Sequence, residues 1–320
     1  MKAAVVSETG RAPQWTDFAD PVAGDEERLV TVAASALSPL ARARAAGQHY
    51  SSAASQRFVA GVDGVGRLDD GSRVYFAFPR APFGAIAEVV PVRRDLVTAI
   101  PGDLDDVAAA ALANPAMSSW AALLDRAKMG RGESVLINGA TGAAGALAVQ
   151  IAKYLGAKTI VATGRSEQAL SAAATLGADR IISLALPAGQ LADALYTAIV
   201  DCGVTIVLDY LWGASALQIM RAIARNQSGD AAPRVRFVQI GAVSGAEISL
   251  DASLLRSSGI ELLGTGLRSV ALADLVRGIG EALAAATIAK FEVDTTTRPM
   301  VRVESAWNED IGSRRMVFTC

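Results

Sequence analysis

The chain has 320 residues, of which 30 are basic and 32 acidic, and its formal net charge is −2. This length exceeds what one hydrophobic core usually supports, about 250 to 300 residues, so we expect two domains. The balanced charge excludes a polybasic surface, and no nucleic-acid partner is expected.

The sequence predicts neither a membrane segment nor a secretory leader. The longest uncharged run, 107–124, contains Asn114, Pro115 and two serines, which make it a poor membrane span. The apolar stretch at the N-terminus is too short for the core of a signal peptide. We therefore predict a cytoplasmic protein with no membrane partner.

Residues that bind soft metals are scarce. Only Cys202, Cys320 and His49 could give sulfur or imidazole to a metal, and they form no CxxC pair. Because zinc sites use three or four such ligands, no zinc site is expected. The two cysteines are far apart in the sequence and are predicted to be free thiols.

Residues 1 to about 112 predict a β-rich domain. Strand patterns such as 29–32 and 73–78 are separated by residues typical of turns. The turn residues are Gly61, Gly64, Gly66 and the run 69–71.

The segment 135–150 predicts a buried strand, a glycine turn and an amphipathic helix. In this context Gly139 permits the tight turn, Gly142 removes a side chain where a phosphate approaches the backbone, and Gly145 allows close helix packing. The helix N-terminus then offers N–H groups and a positive dipole end to an anion. The alternative is a glycine turn that serves packing alone. The predicted pyrophosphate-binding residues are Gly139, Ala140, Thr141, Gly142, Ala143, Ala144 and Gly145.

The residues after the second strand, 158–163, indicate which dinucleotide binds. A site for NAD normally has an acidic residue there, whereas this chain has Gly164, Arg165 and Ser166. Arg165 can donate two N–H bonds to a 2′-phosphate, and Ser166 can add a hydroxyl or a helix-capping N–H. NADPH is therefore the predicted cofactor. The alternative is that Ser166 only caps the helix 167–176 and that Arg165 is a solvated loop residue.

Strands and helices alternate through the rest of this region. The alternation predicts a parallel, doubly wound sheet. The predicted strands are 135–138, 158–163, 181–182, 204–208, 235–240 and 260–263, and the helices after 176 include 190–200 and 214–225.

The residues after about 267 contain a helix pattern at 272–286 and short strands that end at 315–318. This tail is too small to fold alone, so we expect it to complete the N-terminal domain. The sequence therefore predicts a catalytic domain of residues 1–112 and 268–320, interrupted by a dinucleotide-binding domain of residues 113–267.

The order of these features resembles the medium-chain dehydrogenase/reductase superfamily, and within it the zinc-independent, quinone-oxidoreductase-like branch. The resemblance covers nearly the whole chain. It implies an α/β fold with a β-rich GroES-like catalytic domain and a Rossmann cofactor domain, NADPH in the cleft between them, and often a homodimer formed through the cofactor domains. The matching segments are 61–66, a strand at 84–88, 109–120 with Asn114 and Pro115, 139–145, 176–179 and 241–242.

The same resemblance implies further contacts with the cofactor. Ser38 stands where zinc-dependent relatives have a cysteine ligand, which is consistent with a metal-free site. The polar residues that quinone reductases of this branch often carry in the next loop are missing from 38–44. The implied cofactor contacts are Ser38, Asn114, Ser118, Gly241 and Ala242, with Arg315 a candidate near the phosphates.

Reduction of an enone or a ketone requires a proton as well as a hydride. His49 and Tyr50 follow the turn at Gly47 and are the only adjacent pair of potential acids in the expected cleft loop. We predict that this pair is catalytic. The alternative is two surface residues on a loop.

These features predict an NADPH-dependent, metal-free reductase that transfers a hydride to a quinone or another α,β-unsaturated carbonyl compound. A biosynthetic carbonyl or enoyl reductase is the enzymatic alternative. The second alternative is a sensor or structural protein that binds NADPH without turnover. It stays open because the loop 38–44 lacks the usual polar residues. The expected partners are a small carbonyl or quinone substrate and a second copy of the chain.

Overall fold

The computed structural model describes residues 1–48, 57–226 and 232–320, which divide into two compact units. The first unit comprises Met1–Met117 and Leu272–Cys320, and the second comprises Ser118–Ala271. Both boundaries lie a few residues further along the chain than the sequence placed them.

The first part of the chain forms mostly short strands. In the longest of them, Val30, Val32, Ala34 and Ala36 are buried at every second position, which is the alternation of a strand with one face on a core. The elements are β1 (Lys2–Val6), β2 (Gln14–Asp17), β3 (Glu27–Ala36), α1 (Pro39–Ala45), β4 (Phe58–Val59), β5 (Asp63–Arg67), β6 (Arg73–Ala77), β7 (Val89–Arg93), β8 (Val97–Ala99) and α2 (Asp106–Trp120).

The strand predicted at 84–88 is wrong, because strand structure begins only at Val89. The backbone here makes isolated bonds to several segments instead of a continuous ladder: the Ala85 and Ile86 N–H groups donate to the carbonyls of Gly61 and Ala60, and the Ile86 carbonyl accepts from Ala4 of β1. Gly84 packs against the backbone of Val59 so closely that a Cβ would lie 2.0 Å from its carbonyl oxygen.

The second unit alternates strands and helices. Its strands are parallel and lie in the order β11-β10-β9-β12-β13-β14, so the order reverses direction between β9 and β12. This arrangement confirms the predicted doubly wound sheet. The elements are β9 (Ser134–Asn138), α3 (Ala143–Tyr154), β10 (Thr159–Gly164), α4 (Glu167–Leu176), β11 (Arg180–Ser183), α5 (Ala188–Cys202), β12 (Val204–Asp209), α6 (Gly213–Arg225), β13 (Arg234–Gln239), α7 (Ala252–Arg256) and β14 (Gly259–Gly264).

The end of the chain returns to the first unit. The elements are α8 (Leu272–Ala289), β15 (Thr295–Pro299), α9 (Val303–Ala306) and β16 (Arg315–Thr319). β16 pairs antiparallel with β3, so the last strand extends a sheet in the order β15-β16-β3-β5-β6-β8, to which β7 adds by pairing with β3. A smaller sheet has the order β2-β1-β4.

One helical segment, Asp106–Arg126, has the length and hydropathy of a membrane span. However, 67% of its most apolar 18-residue stretch is buried inside the protein. Such burial is typical of the core helix of a globular fold.

Candidate functional site

The glycine turn of the second unit joins β9 to α3. Gly139 has a φ of +96°, which favours glycine, and its N–H donates to both the carbonyl and the hydroxyl oxygen of Thr163, at 3.2 and 3.3 Å. The Ala140 N–H donates to the same carbonyl at 2.8 Å. The end of β10 therefore fixes the first residues of the turn.

Gly142 leaves open space at the start of α3. Among the described residues, a Cβ at this position would meet nothing nearer than the Gly139 carbonyl oxygen at 4.0 Å, so packing does not require glycine here. Gly142 is also the N-cap of α3, and no side chain caps the helix. The first amides of a helix have no intrahelical acceptor. An open surface beside such amides fits a phosphate group.

Gly145 and Gly164, in contrast, are required by packing. A Cβ at Gly145 would lie 2.2 Å from the Gly139 carbonyl oxygen, so only glycine lets α3 approach the turn. A Cβ at Gly164 would lie 2.2 Å from Cγ2 of Thr141. The contact at Gly145 agrees with the packing role inferred for it from the sequence, whereas the close packing of Gly164 was not predicted. Contacts of the turn with a cofactor, including those of Ala143 and Ala144, stay predictions.

Arg165 and Ser166 differ in how the protein uses them. The Ser166 hydroxyl accepts a hydrogen bond from the Ala169 N–H at 3.3 Å and caps α4, so the capping role considered for it is present. Arg165 is exposed, and it makes no ion pair or side-chain hydrogen bond with any residue that the structure describes. Its guanidinium therefore remains available to an anion from outside the chain.

Ser118 and Gly241 lie beside Tyr210, a residue that sequence reasoning missed. The hydroxyls of Ser119 and Tyr210 are 2.7 Å apart, and Ser118 also bonds to the tyrosine. Burial raises the pKa of Tyr210 to about 12, and the bonds of Ser119 and Ser118 oppose this rise. A Cβ at Gly241 would lie 2.6 Å from the Tyr210 carbonyl oxygen. The neighbouring Ala242 is exposed.

Asp209, the last residue of β12, is a fully buried carboxylate that sequence reasoning also missed. The side-chain amide of Asn138 donates to its Oδ1 at 2.7 Å, and the N–H groups of Leu211 and Trp212 each donate at 3.1 Å. Burial raises the pKa of Asp209, while the bonds from Trp212, Asn138 and Leu211 oppose this rise. The sequence does contain a signal for this contact: a polar residue ends each of two apolar strands, Asn138 in β9 and Asp209 in β12.

The structure brings the predicted residues of the second unit to one edge of its sheet. The glycine turn follows β9, residues 164–166 follow or end β10, and residues 241–242 follow β13. All lie at the carboxyl ends of parallel strands, beside the point between β9 and β12 where the strand order reverses. Ligands of doubly wound folds bind at this position.

Ser38, Asn114 and Arg315 belong to the first unit. Ser38 is fully buried, and its hydroxyl accepts a hydrogen bond from the first turn of α1. Asn114 is half-buried in α2. Arg315 is 7% exposed and is coupled electrostatically to Asp63 and Tyr75, which gives this arginine a role inside its own unit. Contact of these three residues with a cofactor stays a prediction.

The predicted catalytic pair, His49 and Tyr50, lies outside the residues that the structure describes. Their role as proton donors therefore stays a prediction and rests on the sequence alone.

Comparison with known sequences gives full-length and partial matches. No protein-family profile matches the chain. A "probable NADPH-dependent quinone reductase" of Emericella nidulans is 28% identical over 96% of this chain and 96% of its own length. A mycocerosic acid synthase-like polyketide synthase of Mycobacterium tuberculosis is 30% identical over 56% of this chain, but the match spans 8% of that protein.

Comparison with solved structures identifies the fold. The quinone oxidoreductase of Thermus thermophilus, solved alone and in complex with NADPH, matches with a TM-score of 0.81 over 100% of both chains at 23% identity. A likeness at this identity shows a shared fold. It confirms the predicted fold class, a β-rich GroES-like domain together with a Rossmann domain.

Proposed function

We propose that the chain is an NADPH-dependent reductase that transfers a hydride to a quinone or another α,β-unsaturated carbonyl compound. The observation that carries this proposal is the open surface at Gly142, beside the uncapped start of α3. A glycine that packing does not require is explained by a phosphate that occupies the space of a side chain. The full-length likeness to the quinone reductase of Emericella nidulans supports the reaction class.

The residues of the second unit divide the binding between them. The first amides of α3 hold the pyrophosphate, and Arg165 holds the 2′-phosphate through two parallel N–H bonds. Ser118, Gly241 and Ala242 border the nicotinamide end, as the family resemblance implies. Bound NADPH supplies the hydride. The chain orients the ring against the acceptor and excludes water.

Steady-state oxidation of NADPH against quinones, enones, aldehydes and ketones tests the proposal. We expect turnover with quinones or enones, and none with Gly142→Val. Turnover confined to aldehydes and ketones would favour a biosynthetic carbonyl reductase. Tight binding of NADPH with no active acceptor would instead favour a sensor or structural protein.

The reaction is proposed to need no metal, as in the zinc-independent branch that the chain resembles. The sequence has one histidine and two cysteines, and by the same resemblance Ser38 stands where zinc-dependent relatives have a cysteine ligand. Dialysis against a strong chelator should therefore leave turnover and melting temperature unchanged. A stoichiometric metal in elemental analysis, whose removal stops turnover, would contradict this part of the proposal.

His49 or Tyr50 is proposed to donate the proton that completes the reduction of an enone or ketone. His49→Ala or Tyr50→Phe should lower turnover of these substrates by about 100-fold, as expected for a positioned general acid, with unchanged NADPH affinity. Quinones should be affected less, because the hydroquinone anion can take a proton from water. If neither substitution changes turnover of any substrate, water is the proton source.

The active form is proposed to be a cytoplasmic homodimer that pairs through β14. This strand is an edge of the six-stranded sheet, and the side chain of Leu262 is 42% exposed. An edge strand presents backbone groups that a second copy can bind. Leu262→Lys should halve the mass measured by sedimentation. Ile181→Lys, equally exposed on the shorter strand at the opposite edge, is the matched control and should not.

A further inference from the structure

The turn after β12 has a strained backbone. Trp212 has φ and ψ of 58° and −154°, a region that is almost exclusive to glycine, and Gly213 follows with a φ of +64°. Strain of this kind persists only where surrounding contacts enforce it. The Trp212 N–H donates to both carboxylate oxygens of Asp209, at 3.1 and 3.2 Å, and its ring packs edge-on against Phe237.

The same carboxylate reaches the glycine turn through two side chains. Asn138 donates its side-chain amide to Asp209 and accepts a hydrogen bond from the Thr163 hydroxyl at 2.7 Å. The Thr163 oxygen in turn accepts from the Gly139 N–H. Because an ionised carboxylate only accepts hydrogen bonds, it sets the direction of every donor in this series. We call the series Asp209, Asn138, Thr163 and Gly139 the relay.

The two turns also touch directly. A Cβ on Gly139 would lie 2.8 Å from Cγ and 2.9 Å from Cδ2 of Leu211, so the leucine fills the space that the glycine leaves. The Leu211 N–H is itself bound by Asp209 at 3.1 Å. One buried carboxylate therefore holds both turns, at the carboxyl ends of the strands where the order of the sheet reverses.

We infer that Asp209 is a positioning residue for the dinucleotide: through the relay it holds the glycine turn, and through the amides of Leu211 and Trp212 it holds the opposite turn. The inference rests on the proposed function for the identity of the ligand. It adds that affinity depends on Asp209, Asn138 and Thr163, which contact each other and hold the glycine turn.

Thr163→Val and Thr163→Ser make a matched test, since valine keeps the shape and removes the hydroxyl, whereas serine keeps the hydroxyl. Dissociation constants for NADPH and NADH are measured by calorimetry well below the melting temperature of each variant. Thr163→Val removes the bond to Asn138 and the bond from Gly139, and it should weaken both dinucleotides by about tenfold or more, whereas Thr163→Ser should weaken them by less than about threefold. The KM for NADPH should rise in Thr163→Val with kcat unchanged at saturation.

Leu211→Ala provides a second, independent variant if Thr163→Val does not fold. It removes the contact with Gly139 and should also weaken both dinucleotides equally. A folded Thr163→Val or Leu211→Ala protein with a lower melting temperature but wild-type affinity would overturn the inference, because the network would then be structural only. If the wild type binds neither dinucleotide, the proposed function fails and this inference fails with it. Normal binding by the wild type and by both variants refutes only the positioning role.

Discussion

Each unit of the protein contains a buried aspartate, and the two differ in how their oxygens are bonded. Asp209 in the second unit accepts hydrogen bonds from Asn138 and from two backbone N–H groups. Asp63 in the first unit is 2% exposed, and the hydroxyl of Tyr75 donates to its Oδ2 at 3.2 Å. Within the described part of the chain, Oδ1 of Asp63 and both Nε and Nη2 of Arg315 have no hydrogen-bond partner.

This difference shows what a buried carboxylate can do in each setting. Burial raises the pKa of Asp63 to about 6, although Arg315 and Tyr75 oppose the rise. Burial also raises the pKa of Asp209, although the bonds from Trp212, Asn138 and Leu211 oppose the rise. Asp63 accepts a hydrogen bond from one hydroxyl, whereas Asp209 accepts from two turns, which is why we propose a positioning role for Asp209.

The largest effect is expected at the surface that the Asp209 network supports. Gly142→Val should lower affinity for NADPH and NADH by more than about 100-fold, because the side chain fills the space of a phosphate. The melting temperature should change little, since a Cβ at this position meets no close neighbour among the described residues. Gly145→Ala should do the reverse and destabilise the fold, because its Cβ would lie 2.2 Å from a carbonyl oxygen. Calorimetric titration and thermal unfolding of both variants separate the two roles.

The next largest effect concerns Asp63. Its pKa is about 6 in the folded protein and 3.8 in its ordinary state, so the neutral form favours folding. Its contribution to stability is therefore fully present below about pH 4 and is lost as the pH rises through about 6. The loss amounts to about 3 kcal/mol, at about 1.4 kcal/mol for each pKa unit.

Asp63→Asn keeps the shape of the side chain and stays neutral at every pH. Its free energy of unfolding, minus that of the wild type, should rise by about 3 kcal/mol between about pH 3 and 7 and then level off. The exposed Asp103→Asn controls for the removal of one negative charge. Urea titrations at several pH values measure the difference. A difference that stays flat or falls over this range contradicts the account of Asp63.

A smaller effect is expected for Asp209→Asn. The new amide can keep Oδ1 as the acceptor for Asn138, Leu211 and Trp212, but its NH2 group replaces Oδ2, so the second bond from the Trp212 N–H is lost. We expect a loss of about 1 to 3 kcal/mol in the free energy of unfolding, the cost of replacing a charged acceptor by a neutral one and of facing one buried donor with another. The variant should be less stable than the wild type at pH 7, where Asp63→Asn should be more stable than the wild type. The same urea titrations measure this difference. If both variants are more stable than the wild type at pH 7, or both are less stable, the contrast between the two aspartates is contradicted.

The sequence predicted the second unit well, because its strands are short apolar runs and its helices are periodic. The glycines at 139, 142 and 145 also predicted where a dinucleotide would bind, and this stays a prediction. The sequence did not predict the hydrogen bond between Asn138 and Asp209, which lie 71 residues apart. Such a contact depends on the order of strands in space, which hydrophobic periodicity does not encode. The false strand at 84–88 has a similar cause, since its backbone partners are divided between β1, β3 and residues 60–61, and none of them pairs with it continuously.

The most direct test of the account is the choice between NADPH and NADH by the wild type and by Arg165→Ala. A charge-assisted bidentate bond contributes about 1.5 to 3 kcal/mol, so the wild type should bind NADPH at least about tenfold more tightly than NADH. Arg165→Ala should lose this preference while its affinity for NADH stays the same. If the substitution weakens both dinucleotides equally, or if the wild type does not distinguish them, the assignment of an NADPH site to the second unit is contradicted.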